Sequence, residues 1–173
     1  MKKENLKKII LSAMFIAIGI VLPFVTGQIR SIGNMLLPMH IPVILCGFIL
    51  GWKYGIAVGF ILPLLRSLLF SMPVMFPNAV GMAFELATYG GLVGFLYFKT
   101  KDKGIKGIYF SLIISMIAGR VVWGFVRALL TGFNGFSFQV FLANGFTSAI
   151  PGIILQLIAI PIIIIALKKQ KVI

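Results

Sequence analysis

Long apolar runs separated by short polar segments repeat along the whole chain. A helix needs about 20 mostly apolar residues to cross the hydrocarbon core of a bilayer. Six runs are candidates for such helices, and they predict an all-α integral membrane bundle of six transmembrane helices in one domain, residues 1–173. The predicted spans are residues 8–25, 39–51, 54–72, 77–98, 107–130 and 140–167.

Two of the six predicted spans are irregular. The second is short and lies among Pro38, His40 and Pro42, so we expect a half-span or an irregular start. The sixth is overlong and is interrupted by Pro151 and Pro161. Proline has no backbone N–H and interrupts or kinks a helix interior.

The lysines are concentrated in four segments. If both ends of a six-span chain lie on one side, every lysine falls on that side. Lysine and arginine are enriched in the cytoplasmic loops of membrane proteins, so the N and C termini are predicted to be cytoplasmic. The lysine positions are 2, 3, 7, 8, 53, 99, 101, 103, 106, 168, 169 and 171.

The composition narrows the class of function. Hydrophobic residues make up 60% of the chain, against about 45–50% in soluble domains. The formal net charge is +13, yet the basic residues form no stripe with interleaved aromatics, so nucleic acid is not a predicted partner. With one cysteine and no nucleotide-binding, metalloprotease or paired-acid motif, the sequence predicts no metal, no cofactor and no enzymatic activity.

Three charged residues lie inside predicted spans at a similar depth. Glu85 lies roughly 12 Å below the outer end of span four, while Arg66 and Arg120 lie roughly 18–20 Å above the inner ends of spans three and five. A charge in hydrocarbon costs roughly 2.5–3.5 kcal/mol even on lenient scales, so it usually pairs or serves a function. Glu85 is expected to pair with Arg66 or Arg120, to contact a polar solute, or both.

Polar faces on spans four, five and six are expected around a solute pocket open to the outside. Simple packing is the alternative for the aromatic members, and His40, between two prolines near a membrane rim, is as well suited to capping irregular backbone as to binding. The faces comprise Asn78, Met82, Glu85 and Tyr89 on span four; Arg120, Trp123 and Arg127 on span five; and Asn144, Thr147 and Ser148 on span six.

Small residues recur at helical spacing in two places. Ala13 and Ala17 form an AxxxA motif in the first span, and the run G-W-K-Y-G-x-x-x-G extends from Gly51 to Gly59. Together with six spans in under 200 residues and polar residues concentrated in spans four to six, these features resemble the substrate-binding S component of energy-coupling factor (ECF) vitamin transporters. The resemblance covers essentially the whole chain.

The resemblance implies partners and a location. In that family the AxxxA face docks onto a membrane-embedded scaffold subunit, so Ala13 and Ala17 are expected partner contacts, and two ATPase subunits supply the energy. The location it implies is a bacterial cell membrane. The vitamin is bound from outside, under a lid formed by the first external loop, where Gln28, Arg30 and Asn34 are expected to reach the ligand.

The resemblance also implies a substrate class. The runs LPMHIPVILCGFILG and LPLLRSLLFSMPVMFPNAVGMAFELATYG look most like members that carry a vitamin B6-type compound, with pantothenate or a hydroxymethylpyrimidine next. The residues expected to bind the substrate are His40, Arg66, Asn78, Glu85, Tyr89, Arg120, Trp123, Arg127, Asn144 and Ser148.

Two other functions remain open from the sequence. A stand-alone proton-coupled transporter would use Glu85 as its protonatable group, but such carriers are usually built from larger inverted repeats, and no convincing repeat is visible. A membrane enzyme would need catalytic groups that the motifs do not supply.

Overall fold

The computed structural model describes residues 2–25, 35–100, 104–132 and 137–170, and within these ranges the chain forms helices and turns with no strand. Two π-helical turns, Met75–Ala79 and Ala143–Thr147, lie between α-helices. The α-helices are α1 (Lys2–Val25), α2 (His40–Leu50), α3 (Trp52–Phe70), α4 (Val80–Thr100), α5 (Ile105–Thr131), α6 (Phe138–Leu142) and α7 (Ile150–Lys169).

Five helices are long and apolar enough to cross a membrane, namely α1, α3, α4 with its preceding turn, α5 and α7. The predicted all-α membrane bundle is therefore confirmed. The second predicted span is α2, whose 11 residues rise about 16 Å. That is about half of the roughly 30 Å hydrocarbon core, so α2 matches the half-span alternative.

The sixth predicted span is divided into two helices. The short α6 and its π-helical turn come first, and α7 begins only at Ile150. Pro151 lies in the first turn of α7, where a missing N–H costs no helical hydrogen bond. Pro161 lies inside α7, which continues past it to Lys169.

Helices α2 and α3 are joined through a single glycine. Gly51 has φ 93°, a backbone conformation that glycine adopts without strain. Its N–H donates to the carbonyl of Gly47, and its own carbonyl accepts from Gly55. The chain therefore reverses sharply, and α2 and α3 lie side by side.

Glycines also allow α3 and α4 to approach closely. A Cβ atom added to Gly55 would lie 2.6 Å from the backbone carbon of Gly90, and a Cβ on Gly90 would lie 2.6 Å from that of Gly55. Neither neighbour is a flexible side chain that could move aside. The small-residue spacing in the sequence thus corresponds to a direct backbone contact between two helices.

Replacing Gly90 with alanine is expected to destabilise the protein by about 1–3 kcal/mol, because the added methyl group has no space. Gly81→Ala is a matched control on the same helix, since a Cβ there meets Trp123 only at 3.5 Å. Unfolding in mild detergent, followed by circular dichroism, measures both variants. Equal stability of the two variants would contradict the close approach of α3 and α4.

Four helices share one end of the bundle, which we call the lysine end. Lys53 and Lys106 lie at the starts of α3 and α5, and Lys99 and Lys168 at the ends of α4 and α7. Lys168 Nζ lies 5.0 Å from the centre of the Tyr97 ring on α4. The structure thus groups these lysines as the sequence predicts, and the assignment of this end to the cytoplasm stays a prediction.

The apolar core occupies the half of the bundle nearer the lysine end. It is formed by α2, by Leu86 to Tyr97 on α4, by Ile108 to Met116 on α5, and by Ile160 and Ile164 on α7, with contributions from α3. On α2, α4, α5 and α7, a buried polar residue lies at the end of the core away from the lysines. The four residues are His40, Glu85, Arg120 and Gln156, and together we call them the polar layer.

Candidate functional site

An ion pair between α4 and α5 lies at the centre of the polar layer. Arg120 Nη1 is 2.9 Å from Glu85 Oε1. Only 1% of Glu85 and 5% of Arg120 are exposed. Glu85 is 15 positions from the last residue of α4 and Arg120 is 15 from the first of α5, so both lie about 22 Å from the lysine end.

Glycine at position 119 helps to bring the two charges together. A Cβ atom there would lie 2.9–3.1 Å from the Tyr89 ring, which is closer than ordinary van der Waals contact. Tyr89 is one turn along α4 from Glu85 and is almost fully buried. The absence of a side chain at Gly119 therefore lets the Tyr89 ring lie against α5, next to Arg120.

His40 is the third member of this cluster. It is the first residue of α2 and is 1% exposed. Its Nε2 atom lies 3.5 Å from Glu85 Oε1, and its ring meets Tyr89 edge-on with the ring centres 5.2 Å apart. The expected position near a membrane rim is wrong, because α2 begins at the inner edge of the polar layer and places His40 beside Glu85.

A second group of predicted residues lies beyond the polar layer, away from the lysine end. Arg127 Nη1 donates to Asn78 Oδ1 at 3.0 Å, and its guanidinium carbon lies 5.3 Å from the centre of the Trp123 ring. Trp123 stacks on Phe141 with ring centres 5.9 Å apart and planes 26° apart. We call Asn78, Trp123, Arg127 and Phe141 the aromatic cluster.

The aromatic cluster and the polar layer share one face of α5. Arg120, Trp123 and Arg127 are three and seven residues apart, which places them along one side of the helix. Asn78 joins them from the turn before α4, and Phe141 from α6. Charged, amide and aromatic groups from six separate elements, counting both clusters, are therefore brought together above the apolar core.

Arg66 has different neighbours. It is buried on α3, donates to the backbone carbonyl of Ile20 on α1, and lies over the rings of Phe24 and Phe70 at 5.2 and 5.5 Å. Those contacts tie α1 to α3. Of the two arginines proposed as partners for Glu85, the structure brings Arg120 to the carboxylate and places Arg66 at the α1–α3 contact.

Of the remaining predicted residues, the structure describes some and not others. Ser148 is half-buried just before α7. The loop residues Gln28, Arg30 and Asn34 and the side chain of Asn144 lie outside the described residues.

Ala13 and Ala17 are exposed on α1. Apolar side chains that are also exposed, including Met14 and Ile18, lie beside them. The AxxxA face is therefore on the outside of the bundle.

Gln156 is a buried polar residue that was not among the predicted site residues. It is 1% exposed on α7, and neither its amide oxygen nor its amide nitrogen has a hydrogen-bond partner among the described residues. One signal was available, since Gln156 is the only uncharged polar side chain in α7. The polar patch predicted for span six ends at Ser148, before this helix begins.

The chemistry of these groups is suited to holding a polar molecule. Arg120 Nε and Nη2 also lack hydrogen-bond partners within the described ranges, and buried polar groups are normally hydrogen-bonded. Among the same residues, no group of three or more histidine, cysteine, aspartate or glutamate side chains could hold a metal ion.

Comparison with known proteins identifies the family. A family model described as "ECF transporter, substrate-specific component" matches residues 7–166. No curated protein and no solved structure matches the chain. Members of this family are transporter subunits that take up vitamin-type substrates together with the other components of the ECF system. The sequence-based family prediction is confirmed, and the chain is a multi-pass membrane protein that belongs to the substrate-specific components of ECF transporters.

Proposed function

We propose that this S component binds one small water-soluble vitamin or vitamin precursor at the polar layer and the aromatic cluster, from the side opposite the lysine end. The observation that carries the proposal is the buried Arg120–Glu85–His40 cluster. Charged groups inside a membrane domain are costly and usually mark a solute path or binding site. The chain belongs to a family of substrate-specific subunits, which supports the same function.

The two clusters supply complementary contacts for such a ligand. Arg120 has two unpartnered donor nitrogens among the described residues, and Glu85 adds an acceptor. Trp123 and Phe141 add flat apolar surfaces with the Arg127 guanidinium alongside. Aromatic rings stack well on such surfaces. This combination favours a vitamin B6-type compound, with a hydroxymethylpyrimidine or pantothenate as the next candidates.

Translocation is assigned to partner subunits. The proposed partners are the ECF scaffold subunit, which contacts Ala13 and Ala17, and two ATPase subunits that hydrolyse ATP. Both alanines are exposed on α1, and small residues allow close helix contacts in lipid. The proposed setting is a bacterial cell membrane with the lysine end in the cytoplasm.

Replacing Ala13 or Ala17 with tryptophan is expected to reduce vitamin uptake by cells more than tenfold while leaving ligand affinity unchanged. A bulky side chain would hold the scaffold helix away from α1. Radiolabelled uptake and calorimetric affinity of the purified subunit measure the two effects. Ala57→Trp is the control, because Ala57 is an exposed alanine on α3. Normal uptake by both α1 variants would contradict docking at this face.

The proposed function is tested by identifying the bound molecule. Mass spectrometry of small molecules released from the protein purified in mild detergent is followed by titration calorimetry with the compound found. A water-soluble vitamin bound near one-to-one with nanomolar affinity supports the proposal. Millimolar affinity across a vitamin panel, with uptake into liposomes containing this chain alone and lost in Glu85→Gln, would instead indicate a proton-coupled carrier.

A further inference from the structure

Gln156 lies on the buried face of α7 that points into the bundle. Gly152, Gln156, Ile160 and Ile164 are spaced four residues apart, and all are buried. Ile160 and Ile164 belong to the apolar core. Gly152 is approached by the backbone of Met35 and Leu36, in the segment that leads into α2. The Gln156 amide is therefore between the core and the chain segment that precedes His40.

The depth of Gln156 matches that of the ion pair. It is 13 positions from the last residue of α7, which corresponds to about 20 Å from the lysine end. Glu85 and Arg120 lie at about 22 Å by the same measure. Helix α7 contacts both α2 and α5, the helices that carry His40 and Arg120. Gln156 thus belongs to the same layer as the proposed ligand contacts.

All four side chains of this layer have buried atoms without a hydrogen-bond partner among the described residues. His40 and Arg120 both lie beside Glu85. The atoms without a partner are both ring nitrogens of His40, Glu85 Oε1, Nε and Nη2 of Arg120, and both ends of the Gln156 amide. A carboxamide offers an acceptor and two donors, whereas a guanidinium offers donors alone. A molecule that satisfied both would present acceptors to Arg120 and a donor beside an acceptor to Gln156.

We propose that Gln156 determines substrate specificity by forming paired hydrogen bonds with a ligand group that has a donor and an acceptor side by side. A primary carboxamide, a lactam, an aminopyrimidine edge, and the neighbouring ring hydroxyl and hydroxymethyl groups of a pyridoxine-type compound are groups of this class. The inference rests on the proposed function, and it specifies which chemical group of the ligand the proposed binding site recognises. A site built to hydrogen-bond a substrate group rejects analogues without it, because its own buried polar atoms are then left unpaired.

The test compares Gln156→Leu with wild type by titration calorimetry, using pyridoxine, pantothenate and 4-amino-5-hydroxymethyl-2-methylpyrimidine as probes. The variant is expected to bind the probe that wild type prefers at least tenfold more weakly. Its ligand-free thermal midpoint is expected to be unchanged or higher, because an unsatisfied buried amide has been removed. Gln170→Leu makes the same chemical change at an exposed position of the chain and is expected to alter neither quantity.

Other results would overturn the inference in distinguishable ways. If Gln156→Leu binds the probe as tightly as wild type, or has a lower ligand-free thermal midpoint, the amide stabilises the fold and does not select the ligand. Gln156→Met keeps the unbranched shape, and if neither variant folds, the amide is required by the fold and the inference is wrong. Failure of all three probes to bind wild type would overturn the proposed substrates and this inference together.

Discussion

Replacing Arg120 with methionine is expected to lower the free energy of unfolding by about 3–5 kcal/mol, the usual cost of removing one partner of a buried ion pair. Glu85 would remain buried without its cationic partner, since Arg120 Nη1 lies 2.9 Å from its carboxylate in the wild type. Methionine retains much of the length and apolar surface of arginine, so the destabilisation mainly measures the effect of losing the positive charge. Chemical unfolding in mild detergent, followed by circular dichroism, measures it.

Two further variants control for a general effect of the substitution. Glu85→Gln combined with Arg120→Met removes both charges, and this double variant is expected to be more stable than Arg120→Met alone. Lys8→Met disrupts the exposed ion pair between Lys8 and Glu4, which has a similar distance of 3.0 Å, and is expected to have little effect because solvent screens such pairs. If Arg120→Met were as stable as wild type, Arg120 would not be the group that compensates the buried negative charge of Glu85.

Replacing Glu85 with glutamine is expected to weaken vitamin binding at least tenfold, or about 1.4 kcal/mol, without preventing folding. Glutamine has nearly the same shape, and its amide oxygen can still accept a hydrogen bond from Arg120. What it removes is the negative charge that faces Arg120, His40 and the proposed ligand. Titration calorimetry on the folded variant measures the affinity.

Glu4→Gln is the matched control for this charge removal. Glu4 is exposed near the start of α1 and is paired with Lys8, so its replacement is expected to leave ligand affinity unchanged. If a well-folded Glu85→Gln variant bound the vitamin as tightly as wild type, Glu85 would have a structural role only. The Arg120 and Glu85 experiments together separate the contribution of the ion pair to folding from its contribution to binding.

Height along the bundle could be predicted from the sequence, whereas position around the bundle could not. Counting residues from the span ends placed Glu85, Arg66 and Arg120 at similar heights. It could not choose between the two arginines, since that depends on which helices are neighbours. The structure places Arg120 against Glu85 and Arg66 against Ile20. Helix adjacency comes from tertiary packing, such as the contact between Gly119 and Tyr89.

The positions of His40 and Gln156 show a second limit. His40, between two prolines at the start of the second predicted span, was expected near a membrane rim, but a half-length helix that ends at the lysine end begins about 15 Å inside the bundle. Gln156 carries no charge, so a search for buried charges passes over it. Its significance depends on the absence of a hydrogen-bond partner among the described residues, which is a three-dimensional property.

The filled core below the polar layer restricts how a bound solute could cross. Between Glu85 and the lysine end, side chains such as Ile44, Val93, Leu112 and Ile164 are fully buried against one another. A solute held at the polar layer would have about 20 Å of close-packed side chains beneath it. A water-filled route along the bundle axis is incompatible with that packing, so delivery requires the helices to separate or the whole subunit to reorient in the lipid. The energy of transport would then be used to change the orientation or the helix packing of the protein, and the solute would move with the protein.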